Sequence, residues 1–511
     1  MKKIVLAILL VFLSAIVGCT WVKVTPYGAA GTVTGSCFLL EIEGFKVIID
    51  CGLFMPNEIE NAELKNSKIE PELVNADVLV LTHAHLDHSG KIPLLIHKGF
   101  KGKIYSTQPT KELVLALFND RNGYDLIERK WFWAERKKGK TQRNKWAIVA
   151  HWRNRCKWNM KSVRCLCNKI LLKDLEKKEN IKFLLCKNCC EEETATMERY
   201  FVTVNYNEYV KFSDNFKVKF INAGHIPGSA SLIFEVDNKK ILFSGDLGNG
   251  YSRFTGKFDI PEPVDCVFME ATCGGKKNKD IEEQYHVFRS DLKHAISSGK
   301  TIWIPALALN RTQKVLYELK LMQDNMDLSK DISIYSVSPS ANTITALYQK
   351  EVKTGRGNWF LNDVYQKKSV LPENVKFEMI RNYDSQMIIF SASGDMDNGK
   401  SVQLMPEMLT KKNVFVMIVN YVDQESNAGL IIQNKKTRSG IKSVAKIKKY
   451  DVFSDHADFY VLQNWLSEQN KNVKICIIHA GEKNANDMLK LLQNDGWKNV
   501  ESAKIGIKFE L

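Results

Sequence analysis

Thr82-His83-Ala84-His85-Leu86-Asp87-His88-Ser89-Gly90 is the stretch whose reading decides the fold. It follows the apolar run Val78-Leu79-Val80-Leu81, which reads as a buried strand. It precedes Lys91-Ile92-Pro93-Leu94-Leu95-Ile96, which reads as the start of a helix. Three imidazoles and a carboxylate therefore leave a strand end together, in a loop too tight to hide them. His83 and His85 can converge on one metal ion, and Asp87 and His88 can face a second beside it. Imidazole nitrogen and carboxylate oxygen are ligands that suit zinc. The chain has only ten histidines, and three of them fall within six residues here. A polar loop with accidental histidines is the poorer account.

Outward from this loop, other strand ends carry metal-type side chains. Val22-Lys23-Val24-Thr25 and Phe38-Leu39-Leu40-Glu41-Ile42 read as strands, and the small residues between Tyr27 and Cys37 permit tight backbone turns. Lys46-Val47-Ile48-Ile49 is a strand ending in Asp50. A carboxylate there can take the free N–H of a ligand histidine. Further on, Val218-Lys219-Phe220-Ile221-Asn222 delivers His225 at a glycine turn, and Ile241-Leu242-Phe243-Ser244-Gly245 delivers Asp246. The two oxygens of Asp246 can bridge two cations.

H-x-H-x-D-H after a strand resembles the signature of the metallo-β-lactamase superfamily. A narrower resemblance is to its β-CASP branch of nucleases. Val267-Phe268-Met269-Glu270-Ala271-Thr272 looks like that branch's motif A. Val452-Phe453-Ser454-Asp455-His456-Ala457-Asp458 looks like motif B, and Ile477-Ile478-His479-Ala480-Gly481-Glu482 like motif C. Ile304-Pro305-Ala306-Leu307-Ala308-Leu309-Asn310-Arg311-Thr312-Gln313 is similar to the P-A-x-A-x-x-R-T-Q stretch opening a helix of the cap domain. Tyr335 to Ala341 matches the next strand and turn, and Phe390-Ser391-Ala392-Ser393-Gly394 a Ser/Gly turn on the phosphate side. The resemblance runs from about Lys23 to the C-terminus.

That resemblance implies an α/β fold, a metallo-β-lactamase αββα sandwich with an inserted α/β β-CASP cap domain. It implies a core in two parts, 20–274 and 449–511, around a cap at 275–448. It further implies two zinc ions per active site. His83, His85 and His225 would take one, Asp87, His88 and His479 the other, with Asp246 bridging and Asp50 behind the ligands. Asp87, Glu270 and His456 would be the catalytic residues, with His456, oriented by Glu270, protonating the leaving 3′ oxygen. The activity implied is that of a zinc-dependent ribonuclease, exo- and/or endonucleolytic. It would use a di-zinc-bound hydroxide and leave 5′-phosphate products. A nuclease of DNA, a hydrolase of a small ester or lactam, and an inactive RNA-binding scaffold are the competing readings. His479 favours RNA over DNA, and no ligand is missing. Three departures bear on the substrate groove: Asn420-Tyr421-Val422-Asp423-Gln424-Glu425-Ser426 stands for the family's G-Y-x-x-x-G-T, motif C carries Ala480, and Asp395-Met396 follows Gly394.

The remaining features are special to this chain. At 511 residues it should hold more than one domain. Its apolar fraction of 44% and charged fraction of 26% are those of an ordinary globular protein. The net charge of +15 fits a polyanion such as nucleic acid, or an anionic membrane surface. An insert at about 129–190 interrupts the core. Its first part sets cations (Arg129, Lys130, Arg136, Lys137, Lys138, Arg153) among indoles (Trp131, Trp152). Cations for phosphates and flat rings for bases suit single-stranded RNA, and Ser393 and Gly394 join the candidate nucleic-acid contacts. The same pattern also suits an insert packing its own tryptophans, or one facing a membrane. Cys165, Cys167, Cys186 and Cys189 fit an additional structural zinc, a disulfide staple or free thiols. Residues 1–18, with Lys2-Lys3, an apolar run and then Cys19, have the plan of a signal peptide or lipoprotein leader. This favours the cell envelope and membrane association over the cytoplasm. A homodimer is a further expected partner.

Overall fold

Every strand around the histidine loop splits its apolar residues between two faces, because side chains alternate along a strand. In β2 (Cys37–Ile42), Phe38 and Leu40 point into one core and Leu39 into another. In β3 (Phe45–Ile49), Val47 and Ile49 take the first and Ile48 the second. Strands apolar on both faces must be covered on both, and this forces a layered sandwich. The structure is a computed structural model describing residues 22–55, 59–119, 194–276, 280–355, 359–380, 383 and 385–510. The candidate leader 1–18, the Trp- and cation-rich segment and the four cysteines Cys165, Cys167, Cys186 and Cys189 lie outside the described residues.

Two seven-stranded sheets face each other. The first runs β20-β1-β2-β3-β4-β5-β6, with β1 (Val22–Gly28), β4 (Val78–Val80), β5 (Lys103–Thr107), β6 (Phe201–Val204) and β20 (Phe509–Glu510). The second runs β19-β18-β11-β10-β9-β8-β7. It comprises β7 (Tyr209–Lys211), β8 (Phe216–Asn222), β9 (Ala230–Val236), β10 (Lys239–Phe243), β11 (Cys266–Glu270), β18 (Lys474–Ile478) and β19 (Asn499–Ser502). Their inner faces share one core in which Phe243 stacks on Phe268 at 4.4 Å, with Phe38 tilted against both. Helices cover the outer faces. Ile92, Leu95, Leu113 and Phe118 pack on the first sheet, and Leu462, Trp465, Met488 and Leu492 on the second. This is the αββα sandwich.

Between β11 and β18 the chain builds a third, separate sheet. Its order is β14-β13-β15-β12-β16-β17 and all its pairings are parallel. Its strands are β12 (Thr301–Pro305), β13 (Ile334–Ser336), β14 (Val375–Lys376), β15 (Ile388–Ser391), β16 (Val414–Ile418) and β17 (Lys446–Lys449). Parallel sheets are covered on both faces, and every residue of β12 and β16 is buried. This α/β cap is pinned to the sandwich by Phe254 of the core, which is 1% exposed. Its ring lies 4.9 Å from Phe360, 5.4 Å from Tyr317 and 5.8 Å from Tyr348 of the cap.

The topology decides where the chemistry sits. β3, β4 and β5 are parallel, as are β10, β11 and β18, and β8 shares the direction of β10 through antiparallel β9. The carboxyl ends of β3, β4, β8, β10, β11 and β18 therefore deliver Asp50, the His83 loop, His225, Asp246, Glu270 and His479. Among the described residues, no helix is long and apolar enough to cross a membrane.

Candidate metal centre and its acid

The loop Thr82–Gly90 is compact because its neighbours leave room for nothing larger than backbone. A Cβ on Gly52 would lie 1.6 Å from the Asp87 carbonyl oxygen. Cys51 and Leu53 donate their N–H groups to His88 O and Leu86 O at 2.7 and 2.9 Å. Asp50 and His479 sit in the left-handed region at φ 59° and 49°, a conformation costly for non-glycine residues and found at functional turns. His479 is held there by its N–H on Ala29 O at 2.7 Å.

Two groups of donors converge. His85 Nδ1 lies 3.1 Å from His83 Nε2 and 3.2 Å from His225 Nε2. Asp246 Oδ2 is 3.5 and 3.6 Å from the same two Nε2 atoms. On the other side, His88 Nε2 is 3.0 Å from His479 Nε2, and Asp246 Oδ1 is 3.2 and 3.5 Å from these nitrogens. Asp87 Oδ2 completes that group at 3.6 Å from His479 Nε2. So the two oxygens of one carboxylate face two separate clusters.

These groups fit metal ions. Ligand atoms about 2.0–2.1 Å from one tetrahedral ion stand about 3.3 Å apart, close to the distances found. Nitrogen lone pairs converging at such distances repel each other unless a cation lies between them. Asp246 Oδ1 is buried and finds no hydrogen-bond partner among the described residues, an orphan that a cation would satisfy. The outer shell fixes which nitrogen faces inward. Asp50 Oδ2 takes His88 Nδ1 at 2.6 Å, and the carbonyl of Asp455 takes His225 Nδ1 at 3.2 Å. Thr272 Oγ1 meets His479 Nδ1 at 2.9 Å. Asp50 is itself held by Thr82 and Ser36. Burial drives His225 down to about 3 and His83 well below the usual imidazole range, toward the neutral form a ligand needs. Burial opposes ionisation of His88, but Asp246 and Asp50 outweigh it and hold that ring up.

A third group stands beside them. Glu270, fully buried, accepts from Leu247 N at 2.6 Å and faces His456 Nδ1 at 3.2 and 3.3 Å. His456 is half-buried, its ring 4.8 Å from that of His225 and its Nδ1 4.0 Å from Asp246 Oδ2. Burial disfavours its charge, yet Glu270 wins and raises it to about 9. Glu270 thus favours the protonated ring and engages its Nδ1, and among the described residues Nε2 makes no hydrogen bond.

The structure therefore gathers Asp50, His83, His85, Asp87, His88, His225, Asp246, Glu270, His456 and His479. Ser393 and Gly394 lie in the cap turn after β15, where a Cβ on Gly394 would run into the side chain of Asn420. That asparagine fills the space over Gly394 and ties Pro305 O to Leu307 N, which accounts for its place where the family carries glycine. Three contributors had no role in the sequence reading. Thr82, Thr272 and Asp455 stand inside the motif stretches with no chemistry of their own to single them out. Their adjacency to the motifs is the one signal that marked them.

The sandwich, the capping domain and the two-sided donor cluster define a metal-dependent hydrolase of the metallo-β-lactamase superfamily. The profile of that superfamily matches residues 30–154, and the profile of the Beta-Casp domain matches residues 312–431. The two matches together support the β-CASP branch of that superfamily. A ribonuclease of Thermus thermophilus is 24% identical over 95% of this chain and 99% of its own length. The probable RNase MJ4 of Methanocaldococcus jannaschii is 24% identical over 89% and 92%. Cleavage and polyadenylation specificity factor 73 of Drosophila melanogaster is 25% identical over 92% of this chain, which spans 61% of that protein. A crystal structure of a protein of unknown function from Enterococcus faecalis superposes with TM-score 0.50 at 11% identity, covering 96% of this chain and 100% of the other, a likeness of fold alone.

Proposed function

We propose that this protein is a zinc-dependent ribonuclease that cleaves RNA phosphodiesters and leaves 5′-phosphate products. The observation that carries the reading is the division of Asp246, one oxygen to each donor cluster, with protonated His456 alongside. Relatives named as ribonucleases along nearly the whole chain point to RNA. His83, His85, His225 and Asp246 would hold one zinc ion, and Asp87, His88, His479 and Asp246 the second. Bound there, such ions neutralise phosphate charge and lower the pKa of the attacking water.

The chain's own residues do the rest. Asp50, Thr272 and the Asp455 carbonyl keep His88, His479 and His225 turned with one nitrogen inward. Glu270 fixes the His456 ring and keeps it charged. As water adds to phosphorus and the bond to the 3′ oxygen breaks, the proton on His456 Nε2 passes to that oxygen. The products are a 3′-hydroxyl and a 5′-phosphate. The Trp- and cation-rich insert, Ser393 and Gly394 are assigned to gripping the single strand, and the leader to placing the enzyme at the cell envelope.

The test is cleavage of 5′-labelled RNA, DNA and a chromogenic lactam, each with and without chelator. RNA should be cleaved, chelator should abolish it, and zinc should restore it. Preference for DNA or the lactam, or cleavage indifferent to chelator, overturns the reading.

A further inference from the structure

The residue before His456 is the point where cap and metal centre meet. Asp455 is 6% exposed and belongs to the core, yet its carboxylate is held mostly by the cap. Lys314 Nζ donates to Oδ1 at 2.7 Å, Asn310 Nδ2 to the same oxygen at 3.0 Å, and an Arg311 nitrogen to Oδ2 at 3.2 Å. All three donors open one cap helix, Arg311–Asp324, and all three are buried. Arg311 also donates to Val419 O at the end of β16, so the triad is anchored in the cap sheet. Lys314 further approaches Phe453 O and Ser454 O at 3.4 and 3.5 Å.

The same few atoms touch the site. The carbonyl of Asp455 receives His225 Nδ1, and Asn310 Nδ2 lies 3.4 Å from His225 O. On the core side His456 pairs with Gly248 in an isolated bridge, Ala457 N donates to Leu247 O at 3.0 Å, and Asn249 Nδ2 to Ser454 O at 2.7 Å. The segment 453–457 is thus clamped from both domains, and within it stand the acid His456 and the anchor of the ligand His225. Burying three charges is a poor way to gain stability, since an apolar set of similar volume often does as well. The triad's position suggests a different use.

We propose that Asp455 is a positioning residue, through which the seating of the cap helix by Lys314 and Arg311 sets the metal ligand His225 and the acid His456. This rests on the metal-hydrolase reading but not on RNA as the substrate. Cap and catalytic centre are then one mechanical unit, and a strand that shifts the cap acts directly on the acid and on one ligand.

The test is the nearly isosteric double variant Asp455→Asn/Lys314→Met, which removes one charge of each sign. Zinc affinity is measured by competition with a chromophoric chelator, coordination by the visible spectrum of the cobalt(II)-loaded protein, and kcat and KM on RNA well below the melting temperature. Removing support behind a ligand commonly costs 10–100-fold in affinity or activity. The expected result is zinc affinity and kcat each down at least about tenfold, KM within about twofold, an altered cobalt spectrum and a retained fold. Zinc affinity, spectrum and kcat all matching the parent overturn the proposal and leave the triad as packing. If the double variant does not fold, Lys314→Met alone keeps the Asp455–Arg311 pair and is judged by the same readouts, at a threshold of about threefold. A parent enzyme inactive on RNA sinks the ribonuclease reading, while the zinc and cobalt measurements still decide this one.

Discussion

Replacing Glu270 by Gln removes one charge and almost no volume, which makes it a sharp test of how His456 works. Glu270 is the main support for the charge on His456, holding it at about 9 against an ordinary value of 6.5. With Gln the amide oxygen can still accept from Leu247 N, and the amide N–H turns toward Thr272 and His456 Nδ1. An N–H facing Nδ1 favours the neutral ring, and burial pushes the same way. Asp246 and Asp455 still favour the charge but less than Glu270 does, so the pKa of His456 falls toward its ordinary 6.5. A general acid acts in its protonated form, so activity is present below this pKa and lost as pH rises through it. At pH 8 the protonated fraction drops from about nine-tenths to about 3%, a loss of roughly thirtyfold. Below the lower of the two values both enzymes are mostly protonated and the difference disappears. Cations in the neighbouring clusters displace both values downward together. The separation of the two alkaline limbs, up to about 2.5 pH units, is therefore the prediction, rather than either absolute pH. The assay is the pH dependence of kcat under saturating zinc for parent and variant. A loss equal at all pH values, or an unmoved alkaline limb, refutes the assignment of Glu270 as the group that charges His456.

Asp246→Ala should remove the shared carboxylate, so metal content by elemental analysis should fall along with activity; unchanged content and activity would sink the two-cluster reading. Phe254→Ala empties a site enclosed by three cap rings and should cost about 3–5 kcal/mol, read from the urea midpoint. A cost below about 1 kcal/mol would show that this ring does not hold cap to core. Deleting residues 129–164 behind a short Gly/Ser linker should weaken RNA binding and flatten its salt dependence, each lost phosphate contact lowering the log–log slope by about 0.7. Affinity and slope both unchanged would make the segment packing and not a grip. Fractionation of cells expressing the full chain should place the protein with the envelope; an uncleaved, freely soluble product refutes export.

What was legible in the sequence was what one strand end can show. His83, His85, Asp87 and His88 sit in one loop, and a reader of the chain sees them together. His225, Asp246, Glu270 and His479 each stand at the end of an apolar run, so strand period and ligand chemistry mark them singly. The family resemblance then supplied their order. Nothing local says that Asp246 turns one oxygen to each cluster. That follows from β8, β10 and β18 running the same way in one sheet, with β9 and β11 between them, while β3 and β4 lie in the other. The supporting groups were harder still to see. Thr272 is an ordinary β-branched residue until the fold sets it between Glu270 and His479. Lys314 reads as a solvated charge on an amphipathic helix, since charged residues are rarely buried unless paired. Its partner Asp455 is 141 residues away, so no periodicity could pair them. The pairing appears only once a cap folded from residues between β11 and β18 is set down on the sandwich that encloses it. The same topology makes Asp455 informative, because a chain that leaves the core at Glu270 and returns to it at His456 has brought both partners of its acid back to one place.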